Sequence, residues 1–195
     1  MKIGVIGTGR IGSSIGEKWI AAGHDVMYGL RDLGKATELV GKSGTIDEAI
    51  AHGDVILFAI PGRAMAETIE KLELAGKIII DATNGGDTSD KPLVQLLAEK
   101  LPNSTVYKAF NTLGFENFIT PEFGEKRADL LFIGSEDSKE TVEKLISDVG
   151  LNPQYVGDLE RMNVLDASMR FWFALTQHFG RHVAFNILTD PKSSE

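Results

Sequence analysis

The chain has 195 residues, 43% of them hydrophobic and 25% charged, with a formal net charge of −8. That globular balance supplies a core and argues against disorder, while the acidic tilt is the wrong sign for a protein whose main partner is the nucleic-acid backbone. Zero cysteines exclude a disulfide framework, a thiolate metal site and a cysteine nucleophile. The longest apolar runs fall short of the roughly 18–20 residues that span a bilayer. The opening Met1-Lys2-Ile3-Gly4-Val5-Ile6-Gly7 runs straight into a turn and has no leader pattern. A cytoplasmic location is therefore expected, with no membrane or nucleic-acid partner. The length suits one domain, residues 1–195, of which 159–189 form a C-terminal helical segment.

Short β-branched runs alternate with helical patterns, the signature of βαβ units. Strands are predicted at 2–7, 25–29, 54–60, 77–82, 104–109, 129–134 and 153–157. The helices between them fall at 10–22, 33–41, 46–52, 63–73, 91–100 and 137–149. Thr45-Ile46-Asp47-Glu48 reads as a capping box opening the third helix. Val55 to Ile60 and Ile78 to Ile80 are apolar on both faces, as strands of a covered parallel sheet are. Beyond residue 159 the pattern turns to helices rich in aromatics. The fold class is α/β: a Rossmann-like, doubly wound, mainly parallel sheet with C-terminal helices packed on it.

Gly7-Thr8-Gly9-Arg10-Ile11-Gly12 is a G-x-G-x-x-G between an apolar strand and an amphipathic helix carrying Ile15, Trp19 and Ile20, the context that gives the string its meaning. Gly7 allows the tight turn, Gly9 admits a pyrophosphate close to the backbone, and Gly12 lets the helix pack on the strand. The helix N-terminus offers that anion its N–H groups and the positive end of its dipole. About 20 residues on, an NAD-specific protein carries Asp or Glu, but here stand Leu30 and Arg31. No carboxylate repels a 2′-phosphate, and a guanidinium is at hand to pair with one. The reading is NADP(H), with Lys35 as a second charge; the alternative is that Arg31 pairs with Asp32 on the surface.

Gly7 to Gly12, Gly29-Leu30-Arg31-Asp32, Ala59-Ile60-Pro61, Asp81-Ala82-Thr83-Asn84 and Lys108-Ala109-Phe110-Asn111-Thr112 follow in order along the chain. With Asp129 to Gly134, Val149-Gly150-Leu151 and Val183 to Leu188, they resemble the NADPH-dependent coenzyme F420 reductases, or F420-dependent NADP oxidoreductases, over nearly the whole chain. The resemblance implies that Thr8, Gly9, Arg10 and Ile11 meet the pyrophosphate and that Leu30, Arg31 and Lys35 meet the 2′-phosphate. It further implies that Ala59, Ile60 and Pro61 line the cofactor, and that Asn84, Ala109, Phe110, Asn111 and Thr112 lie toward the nicotinamide and its acceptor, Asn111 and Thr112 on the substrate side.

Pro61, Asn84 and Asn111 fall just past predicted strand ends, the ligand edge of such sheets, although Asn also follows strands for turn chemistry alone. Hydride transfer between planar rings needs stacking at about 3–3.5 Å and no side-chain acid or base, so no catalytic residue is assigned. His178 and His182 are four apart but bring no third ligand, and no metal is assigned. His24 and His52 read as structural. Phe171, Trp172, Phe173 and Phe179 read as a subunit interface, hence a homodimer. The function expected is hydride transfer between NADP(H) and a small-molecule acceptor, a deazaflavin such as coenzyme F420 or a similar planar ring. The alternatives are a flavin- or ferric-linked NADPH reductase and a non-catalytic NADPH-binding module or sensor.

Overall fold

The computed structural model describes residues 1–69, 72–85 and 91–190. Its strands are β1 (Lys2–Ile6), β2 (Asp25–Leu30), β3 (Lys42–Thr45), β4 (Val55–Phe58), β5 (Ile78–Asp81), β6 (Thr105–Lys108), β7 (Glu122–Phe123), β8 (Lys126–Arg127), β9 (Asp129–Gly134) and β10 (Asn152–Tyr155). Its helices are α1 (Arg10–Ala21), α2 (Ile46–His52), α3 (Gly62–Ile69), α4 (Leu93–Lys100), α5 (Glu116–Ile119), α6 (Lys139–Val149) and α7 (Met162–Phe179). Eight strands form one sheet in the order β10-β9-β6-β5-β4-β1-β2-β3. All neighbours are parallel except β6 and β9. The run β3-β2-β1-β4-β5-β6 is the Rossmann order, which reverses direction between β1 and β4 and opens a crevice there.

β4 and β9 are buried at every residue, because helices cover both faces. One face packs Ile15 and Trp19 of α1 and Val142 and Leu145 of α6 against Val5, Tyr28, Leu57 and Phe132. The other packs Ile50 of α2, Met65 of α3, Leu97 of α4 and Leu165 of α7 against Phe58, Ile79 and Ile133. Trp19 ties the first layer together: its Nε1 donates to the Leu145 carbonyl at 2.8 Å and its ring meets Phe110 edge-on at 6.1 Å. Thr45 and Glu48 form the expected capping box, with Thr45 Oγ1 accepting from Glu48 N at 3.2 Å and Glu48 Oε2 from Thr45 N at 2.7 Å. These bonds hold the Glu48 carboxyl below its usual range.

Three sequence expectations are corrected. The helix at 33–41 is only a 3-10 stretch, Leu33–Glu38, because 42–45, expected in no element, pairs with β2 and takes up the chain. The hairpin of β7 and β8, turned by Gly124 (φ +67°), and the single turn of α5 are too short to show a period. The C-terminal segment is not helical to 189. It is a 3-10 turn, Leu159–Arg161, and one helix, α7, which ends at Gly180 (φ +77°). The chain then runs beside β9, where Asp129 N donates to the Phe185 carbonyl at 2.9 Å and the buried Asp129 carboxylate accepts from Ile187 N.

α7 buries Met162, Leu165 and Trp172 only, while Phe171, Phe173 and Phe179 are 57%, 46% and 69% exposed. Trp172, read with the interface aromatics, belongs instead to the core. Among the described residues no helix is long and apolar enough to cross a membrane. Because Trp19 fills the layer between α1, α6 and Phe110, Trp19→Phe should lose the indole hydrogen bond to the Leu145 carbonyl, leave a small void and lower stability by about 1–3 kcal/mol in urea unfolding.

Candidate functional site

The carboxyl ends of β1, β2 and β4 enclose a cavity of about 690 Å³ at the strand-order reversal, within the range of cofactor pockets. Gly7, Thr8 and Gly9 form one wall, Leu30, Arg31 and Asp32 a second, and Ala59, Ile60 and Pro61 a third. Gly7 has φ +105°, and a Cβ there would lie 2.5 Å from the Ala59 carbonyl oxygen. A Cβ at Gly12 would lie 1.9 Å from the Gly7 carbonyl oxygen. These two glycines let turn, helix and β4 close together. Gly9 differs: a Cβ there meets nothing within 4 Å, so its freedom is space toward the cleft rather than packing.

Gly9 is also the N-cap of α1, and it supplies no side-chain cap; the first turn carries no acidic residue. The amide groups and the positive dipole end are therefore left for an anion. Gly12 and Ile11 lie in that first turn. Arg10 turns aside, its guanidinium 5.0 Å from the centre of the Phe115 ring.

Arg31 is exposed and makes no ion pair among the described residues. Its neighbour Asp32 instead accepts from Gly34 N at 3.0 Å, so the surface pair with Asp32 is not formed. Leu30 is 6% exposed, an apolar wall rather than a phosphate contact. The Lys35 side chain lies outside the described residues. Leu39, Ile46 and Ala64 complete the lining. Sequence reasoning missed them; the signal was an apolar residue, Ile46, directly after the capping Thr45.

The ends of β5 and β6 carry the remaining candidates. Lys108 Nζ donates to Asp81 Oδ2 at 2.8 Å and to the Thr83 carbonyl at 2.5 Å, and Asp81 Oδ1 accepts from Thr83 N at 2.8 Å. Asn84 is exposed, its Nδ2 3.5 Å from the Asn111 carbonyl. Ala109 and Phe110 are buried, and Phe110 takes a left-handed φ of 62° with its ring edge-on to Phe118. Asn111 and Thr112 are 3% and 1% exposed, with side-chain polar atoms that have no hydrogen-bond partner among the described residues. Asn84 thus stands at the surface of this half, while the expected substrate-side residues are enclosed.

The histidines do not converge. His182 Nε2 lies 2.8 Å from the Thr120 carbonyl, with its ring stacked on Phe123 at 4.4 Å. His24 meets Asp148 at 2.8 Å and His52 meets the Asp25 carbonyl at 3.0 Å.

Residues 2–85 match the model of the family described as NADP oxidoreductase coenzyme F420-dependent. The F420-dependent NADP reductase of Methanothermobacter thermautotrophicus is 31% identical over 99 residues, 43% of this chain and 43% of its own. The metalloreductase STEAP3 of Rattus norvegicus is 24% identical over 176 residues, 85% of this chain and 36% of that one. The chain spans less than half the length of these curated relatives. A candidate F420-dependent NADP reductase from Arthrobacter sp. FB24, 20% identical, superposes with a TM-score of 0.84 over 97% of this chain and all of its own. The resemblance read from the sequence therefore holds, and the fold is the Rossmann-like one expected. Gly9→Ala, with open space before it, should leave the melting temperature unchanged, whereas Gly12→Ala, against the Gly7 carbonyl, should lower it by about 5 °C or more in a thermal scan.

Proposed function

We propose that this protein is an NADPH-dependent oxidoreductase that passes a hydride between NADP(H) and a planar acceptor, coenzyme F420 or a flavin. The observation that carries this reading is the open, uncapped start of α1 over Gly9 beside an exposed Arg31 that makes no ion pair among the described residues. The space at Gly9 and the free amides of the first turn suit a pyrophosphate, the apolar Leu30, Leu39 and Ile46 suit an adenine ring, and Arg31 suits the 2′-phosphate. NADPH supplies the hydride when bound. The chain's part is to bind the adenosine half at β1 and β2 and to hold the nicotinamide half along the ends of β4, β5 and β6, where Pro61 and Asn84 lie.

The similarity to a metalloreductase supports ferric chelates as a further acceptor class. Stopped-flow oxidation of NADPH with coenzyme F420, FMN, FAD and ferric chelates separates these acceptors; reaction with none of them favours a sensor. Arg31→Ala should lose most of a preference for NADPH over NADH that is about tenfold or more in wild type, measured by fluorescence titration. Equal wild-type affinities for the two cofactors count against the assignment.

The exposed aromatics of α7 extend the proposal to assembly. Phe171, Phe173 and Phe179 together expose more apolar surface than one helix of a monomer ordinarily presents. Light scattering should find a homodimer, and Phe171→Glu combined with Phe179→Glu should convert it to a monomer at about micromolar concentration.

A further inference from the structure

The Asp81 to Asn84 and Lys108 to Thr112 motifs meet through their first residues. The Lys108 and Asp81 side chains are 4% and 0% exposed. A buried ion pair is a poor source of net stability, because the cost of desolvating both charges offsets their attraction, and apolar residues of similar volume commonly serve as well. Apolar residues could hold β5 to β6, but they could not grip the chain beyond the strand ends. Here the pair does so. Lys108 Nζ reaches both the carbonyl (2.5 Å) and the hydroxyl (3.4 Å) of Thr83, while the second oxygen of Asp81 takes the Thr83 N–H. Every polar group of Thr83 that the pair can reach is fixed. The next residue, Asn84, is the exposed side chain of this half, and it leans on the Asn111 carbonyl.

Resting on the reading above, in which the nicotinamide lies along the ends of β4, β5 and β6, we propose that Lys108 and Asp81 are positioning residues for hydride transfer. The pair locks Thr83 so that Asn84 is held against the Asn111 carbonyl, and this fixed edge orients the nicotinamide ring. Neither charge takes part in binding the adenosine half, which sits on β1 and β2.

The test is the double variant Asp81→Leu with Lys108→Met, which removes both charges and leaves neither one buried alone. It should bind NADPH with a Kd within about threefold of wild type while kcat with the best acceptor falls about ten- to a hundredfold through misorientation. The fluorescence lifetime of bound NADPH, which reports on immobilisation of the reduced ring and needs no acceptor, should shorten. Asn84→Ala should cause a similar fall in kcat in the wild-type background and almost none in the double variant, because both act on one edge. Unchanged kcat and lifetime in the double variant overturn the proposal, as does a Kd that weakens as much as kcat falls, or a full additional loss from Asn84→Ala. Should the double variant fail to fold, Asn84→Ala alone decides, since its exposed position tolerates the change; wild-type kcat and lifetime in it overturn the proposal. A wild-type protein that fails to bind NADPH overturns the functional reading itself, whereas binding with unaffected variants overturns only this one.

Discussion

A Cβ on residue 12 would stand 1.9 Å from the Gly7 carbonyl oxygen, and the close approach that its absence permits governs the rest of the molecule. Because α1 rises so near the turn after β1, its N-cap, Gly9, lines the crevice between β1 and β4. About two turns later on the same helix, Trp19 reaches the Leu145 carbonyl of α6 and the ring of Phe110. One helix axis, set by one missing methyl group, thus places an uncapped N-terminus at the cleft at one end and anchors the far half of the sheet at the other.

The two halves of the cleft are built differently. The side proposed for the adenosine half is open and lined by backbone and aliphatic groups, with Arg31 at its rim. The side proposed for the nicotinamide is held from beneath by the Lys108–Asp81 pair. Phe110 adopts a left-handed conformation that costs a bulky residue about 1–3 kcal/mol, and it persists because Trp19 and Phe118 pack edge-on against its ring. That turn drives Asn111 and Thr112 inward instead of toward the cleft. Such a division would suit the proposed function, in which one half of the cleft orients a ring to within a fraction of an ångström and the other binds and releases the cofactor.

Much of this was legible in the sequence where physics leaves few choices. Val55 to Phe58 and Asp129 to Gly134 are apolar on both faces, and only a covered sheet accommodates such strands. Gly7, Gly9 and Gly12 were legible because each removes a specific collision or opens a specific space. Lys42 to Thr45 was not, since a four-residue polar edge strand has no hydrophobic period, and its existence depends on β2 lying alongside. Nor were the fates of Asn111 and Thr112: their place past a strand end is visible in the sequence, but the left-handed Phe110 that turns them inward is not a property of any local pattern. Beyond Gly180, the extended course depends on Asp129, 58 residues away from Ile187 in sequence, and no window along the chain contains both partners.

The distance between α7 and the turn at residues 7–12 is bridged by few residues. Arg10 lies over Phe115; the adjacent Glu116 holds Arg181 at 2.7 Å; and Arg181 lies 5.2 Å from the centre of the Trp172 ring in α7, whose Nε1 in turn donates to the Val183 carbonyl at 2.7 Å. Gly114 makes this contiguity possible, because a Cβ there would meet the Trp172 ring at 2.9 Å. The exposed aromatics of α7 flank that same tryptophan. A subunit seated on them would therefore press on the segment that restrains Arg10, the one basic side chain of the turn itself. With Arg10 parked on an aromatic ring rather than paired with a carboxylate, the energy to be overcome when it swings toward an anion is only about 0.5–1 kcal/mol at an exposed site. So small a restraint leaves the guanidinium available to the cleft, and the assembly proposed at α7 and the anion binding proposed at α1 would share one connected piece of the structure.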